Sequence, residues 1–85
     1  MIKKEENLVR YAQLIDELCD AKNHLEDFIN NLDNDDYTED CLKTDLGHIY
    51  AHLNRFTNSR NSLENINENN WDVFSQFPSD IKPVG

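Results

Sequence analysis

A chain of 85 residues makes one domain and buries only about 60–65% of its unfolded surface, so it needs tight packing or a partner for stability. Its 17 acidic and 8 basic residues give a formal net charge of −9, which repels nucleic-acid phosphate and anionic lipid. Only two Gly and two Pro punctuate it, a composition that favours helices over a many-stranded sheet.

The first helix is expected from about Lys4 to Leu32, a stretch without Gly or Pro. Leu8, Tyr11, Ile15, Leu18, Leu25, Ile29 and Leu32 follow alternating steps of three and four, with Lys22 in the one remaining place. This is a heptad seam sustained for more than three repeats. Leu14, Ala21 and Phe28 flank it on one side, and Ala12 and Cys19 on the other. The apolar stripe is therefore wider than a two-stranded coiled coil needs and suits a bundle helix.

Residues 33–38 read as a turn, because Asp and Asn side chains compete with the helix for backbone groups. Thr38 is the preferred N-cap of the next helix, with Glu39 and Asp40 in its first turn; Asp36 is the alternative, with Glu39 in capping-box position. The second helix is expected over residues 39–66 on the seam Leu42, Leu46, Ile49, Leu53, Phe56, Arg60 and Leu63. The short connection makes the pair antiparallel, and partners across it have numbers summing to about 71. That register sets Leu18 against Leu53, Ile15 against Phe56, Lys22 beside Ile49 and Arg60 beside Tyr11. It also separates Cys19 from Cys41 by ~16 Å along the axis, too far for a disulfide.

The Asn cluster after residue 64 stops the helix. Trp71, Phe74 and Phe77 then recur every three residues, a short helical turn before Pro78 and an extended tail to residue 85. Two helices cannot cover such wide stripes alone. The expected fold is all-α: a long antiparallel hairpin with a short aromatic C-terminal segment, dimerising into a four-helix bundle.

The candidate sites follow. Asp45, His48 and His52 lie on successive turns and form a conceivable metal trio, but the seam through Leu46, Ile49 and Leu53 turns His48 outward, and His24 and Asp20 fall on the outer side of the first helix. Surface or boundary histidines are the expected outcome, with no cofactor. The acidic turn fails as a calcium loop, having Thr38 where Gly is needed and Thr44 where Glu is needed. Cys19, placed near His52, has no oxyanion-forming loop beside it, and no catalytic residue is expected. Lys22 and Arg60 at inward places are expected to set register. The polar stretch Asn54, Arg55, Asn58 and Arg60, together with Trp71, Phe74 and Phe77, is the candidate partner surface.

No run approaches the ~18 apolar residues of a membrane span, and the N-terminus lacks the apolar stretch of a signal peptide. A cytoplasmic protein with reduced cysteines is expected. The expected function is non-enzymatic protein–protein interaction, as a regulator, adaptor or inhibitor, in a homodimer that binds neither membrane nor nucleic acid. The alternatives are an acidic mimic, such as an immunity or antidefence protein neutralising a nucleic-acid-binding target, and a metal-binding bundle.

Overall fold

In the computed structural model, which describes residues 1–85, the side chain of Asn7 accepts the Arg10 backbone N–H at 3.1 Å and starts α1 (Leu8–Asn31). The helix thus begins four residues later than the expected Lys4, since Asn7 satisfies one of the orphan donors of a first turn. The residues before it fold back across the open end of the hairpin. Ile2 is buried there, and its backbone N–H donates to the Arg60 carbonyl at 2.7 Å.

After α1, the Asn34 side chain accepts the Asp36 backbone N–H and the Asn34 carbonyl accepts that of Tyr37, closing the turn locally. Thr38, with its hydroxyl accepting the Cys41 backbone N–H at 3.2 Å, is the N-cap of α2 (Glu39–Ser59). No other contact between elements is more extensive than that of α1 with α2, and the chain is all-helical, as expected. Gly47 has open space around its Cα, so no helix approaches it closely.

Two features depart from the sequence expectation. First, α2 ends at Ser59, seven residues before Ile66. The carbonyls of Ser59 and Ser62 accept the Arg10 guanidinium instead of continuing a helical ladder. The Arg60 guanidinium also takes the Thr57 carbonyl, tightening the last turn. Second, both helices are rotated about their axes. The inward line of α1 is Arg10, Leu14, Glu17, Ala21, His24 and Phe28, which is the expected flanking line with three polar residues interleaved. The expected seam lies to one side: Leu8, Ile15, Leu18, Leu25, Ile29 and Leu32 are 36–61% exposed, and Lys22 is exposed among them. The axial register is nevertheless the expected one, with Glu17 opposite Arg55 and His24 opposite His48.

The interior is consequently small and mixed. Ile2, Leu14, Ala21 and Ile49 are its only buried apolar residues, whereas Arg10, Glu17, Asn54, Arg55 and Ser59 are buried and polar. Such groups are tolerated only when paired, and every buried side-chain nitrogen and oxygen has a hydrogen-bond partner. Beyond α2, residues 60–70 run without regular structure. The single turn α3 (Trp71–Phe74) follows, and the chain then crosses the outer side of α2.

Candidate functional site

Arg55 is where the three parts of the chain meet. It stands on the fifth turn of α2 and reaches back to α1, donating from Nε to Glu17 Oε1 at 2.9 Å. The second Glu17 oxygen lies 2.9 Å from His52 Nδ1, which is also 3.0 Å from Arg55 Nη2. With Nδ1 protonated the ring donates to Glu17; with Nδ1 bare it accepts from Arg55. Either tautomer ties the imidazole to the ion pair. On its other side Arg55 donates from Nη1 to Ser75 Oγ at 3.0 Å, and its guanidinium carbon sits 3.9 Å above the Trp71 ring centre, a cation–π distance.

The neighbouring polar residues of α2 clamp the same segment. Asn54 Nδ2 donates to the Ser75 carbonyl at 2.9 Å, and Asn58 Nδ2 donates to the carbonyls of Phe74 and Gln76. These are carbonyls at the end of α3, where a helix leaves acceptors unpaired. Further along, Arg60 pairs with Asp80, which holds that carboxyl below the usual carboxylate range through the hydrogen bond. Phe77 meets Tyr50 edge-on at 5.3 Å between ring centres. The candidate surface of Asn54, Arg55, Asn58 and Arg60 therefore contacts the aromatic segment of its own chain. Trp71 and Phe77 remain 46% and 70% exposed on the far side. Arg60, expected to face inward beside Tyr11, turns instead to Thr57 and Asp80.

The histidines gather differently from expectation. His24, expected on the outer side of α1, lies half-buried between the helices, because α1 is turned. Its ring centre is 5.2 Å from that of His48 and 5.0 Å from that of His52, the latter pair nearly parallel. Asp45 is not with them: its carboxylate accepts the Tyr37 hydroxyl at 2.6 Å near the turn. No three His, Cys, Asp or Glu side chains are arranged to hold a metal ion. Both cysteines are free and exposed.

Arg10, Glu17 and His24 are the site residues that the apolar pattern missed. They recur every seven residues, and their partners Ser59, Arg55, His52 and His48 stand at the matching heights of α2. Complementary polar lines on two helices were the available signal. Burial pushes the Arg10 guanidinium below its ordinary range.

The Tyr37–Asp45 pair makes one measurable mark. Desolvation, and then the hydrogen bond to Asp45, push the Tyr37 phenol from 10.0 up to about 12. The folded chain thus holds this proton more tightly than the unfolded chain does. The resulting stability is complete below pH 10.0 and is lost as pH rises through about 12. In an ultraviolet titration Tyr37 is expected to ionise at about pH 12, and Asp45→Asn to bring it back toward 10.0.

Comparison with protein-family models, with curated proteins and with solved structures gives no match. No helix is long and apolar enough to cross a membrane.

Proposed function

We propose that this protein works by binding another protein, as a regulator, adaptor or inhibitor, and not by catalysis. One observation carries the reading: sixteen large apolar side chains are exposed, against four buried apolar residues. Exposed apolar surface on that scale, on so small a chain, is characteristic of interaction surfaces. Part of it lies on the outer side of the C-terminal segment, where Trp71, Val73 and Phe77 face water while the clamp holds the segment's backbone. Aromatic residues on a pre-ordered backbone suit a protein partner, because little conformational freedom remains to be lost.

The test is an affinity capture with the full chain and with a Val73→Glu variant, whose changed side chain lies outside the groove beside the α1 seam, compared by mass spectrometry. The wild type is expected to retain at least one protein that the variant loses; identical capture by both overturns the reading. A second reading, the acidic mimic, is supported by the placement of Asp33, Asp35, Asp36, Glu39 and Asp40. All are exposed at the turn end, and none takes part in an ion pair. Under that reading the captured protein is basic and leaves the column at raised salt. We further propose that two hairpins pair into a four-helix bundle.

A further inference from the structure

The strongest pattern in the sequence is only partly covered within one copy of the chain. The heptad seam of α1 runs over eight places from Leu8 to Leu32, yet α1 meets α2 through a different line, Arg10 to Phe28. A 3–4 spacing of apolar residues is the pattern by which one helix packs along another at a shallow angle. We infer that the seam of α1 lies against the seam of α1 in a second copy, antiparallel, with the two-fold axis near Asp20. This inference rests on the pairing of hairpins proposed above and gives it a surface and a direction.

Three observations support it. The first is area. Six seam side chains are 36–61% exposed, and Tyr50, Leu53 and Phe77 continue the apolar surface on the same side. Leu18, Tyr50, Leu53, Phe77 and Ile81 border one groove of about 710 Å³ beside the middle of the seam. Together they offer apolar surface on the order of the ~800 Å² per partner that a stable pair buries.

The second is register. With the axis near Asp20, Leu8 lies opposite Leu32 of the second copy, Tyr11 opposite its Ile29 and Ile15 opposite its Leu25. Leu18 then lies opposite Lys22 of that copy. Every seam place finds a partner, and the one polar residue falls beside the axis. A single polar residue at a seam position sets register and orientation at some cost in stability.

The third is charge. At one end of α1, Lys3 and Lys4 balance Glu5 and Glu6, while Glu26, Asp27, Asp33, Asp35 and Asp36 make the other end strongly acidic. A parallel pair sets the two acidic ends side by side, in a chain already at −9. An antiparallel pair sets each acidic end beside the near-neutral end of its neighbour and keeps the two acidic ends apart.

Sedimentation of the full chain at micromolar concentration is expected to give twice the 10.0 kDa chain mass. Leu25→Glu/Ile29→Glu is expected to sediment as a monomer, with helicity checked by circular dichroism. A monomeric wild type overturns both the pairing and the seam inference, in favour of a different protein covering this side.

Direction is read from two variants that leave the seam intact. Cys41→Ser keeps only Cys19, close to the axis; Cys19→Ser keeps only Cys41, far from it. A short bismaleimide is expected to join two chains through Cys19 and not through Cys41. A dimeric wild type whose chains are joined through Cys41, or not through Cys19, overturns the seam inference while the pairing of hairpins stands.

Discussion

Replacing Arg55 by alanine is expected to lower the stability of the chain by about 3–5 kcal/mol, the usual cost of leaving one member of a buried ion pair alone. The side chains of Arg55 and Glu17 are 4% and 11% exposed, so water does not substitute for the lost guanidinium. The same change removes the bond to Ser75 and the stacking on Trp71. A domain of this size has on the order of 5–10 kcal/mol in all. Thermal unfolding followed by circular dichroism is therefore expected to show a fall in Tm of ~15 °C or more. Arg55→Leu combined with Glu17→Leu is expected to recover much of the loss, since that double change buries no lone charge. A double variant as unstable as the two single losses added together contradicts the assignment of the effect to the ion pair.

Arg10→Ala is expected to be the second large loss, at about 3 kcal/mol. Arg10 is fully buried, at 0% exposed. Its Nε donates to the Ser62 carbonyl at 2.9 Å, its Nη2 to the Ser59 carbonyl at 2.8 Å and its Nη1 to Gln13 Oε1 at 2.7 Å. Truncation leaves the Ser62 carbonyl without its Arg10 donor and the Ser59 carbonyl with only the Ser62 N–H, and such losses are costly when water is excluded. Native-state hydrogen exchange is expected to show faster exchange at Ser62, and at Ile2, whose N–H is bonded to the adjoining Arg60 carbonyl. An Arg10→Ala chain within 1 kcal/mol of wild type by urea unfolding contradicts this role.

Both predictions concern residues that apolar periodicity leaves outside the core, and the reason is physical. The pattern of α1 showed the helix, its width and its partner, and the short acidic turn settled antiparallel packing and its register. Which part of the wide stripe turns inward was not decided by it. Leu8, Ile15, Leu18, Leu25, Ile29 and Leu32 form the richest apolar line, and charged residues are seldom buried unless paired. Arg10 and Glu17 are paired, but their partners stand 35–52 residues away in the sequence. Burial of that kind becomes legible only when the two helices are read as one surface.

The end of α2 has the same origin. Leu63 continues the spacing of that helix, so local pattern extends it, whereas the Arg10 guanidinium from the far helix takes the carbonyls that extension requires. The C-terminal segment was partly legible. Its short helical turn is present at Trp71–Phe74, and its aromatics do pack against the hairpin. The role of Asn54 and Asn58 as donors to backbone carbonyls was not, because nothing in an Asn residue says whose carbonyl it meets.

The clustering of polar bonds at the open end of the hairpin also bears on how the chain reaches this shape. Near the turn, Phe28 of α1 meets Tyr37 of the connecting segment, with ring centres 6.2 Å apart, and no ion pair joins the two helices there. The strong bonds join residues 10 and 17 to residues 52–62, across most of the chain. A hairpin that closes from its turn therefore gains little until its ends arrive, and the loop entropy must be met before those bonds form. Arg10→Ala and Arg55→Ala are therefore expected to speed unfolding more than they slow folding, read from the two arms of a stopped-flow chevron.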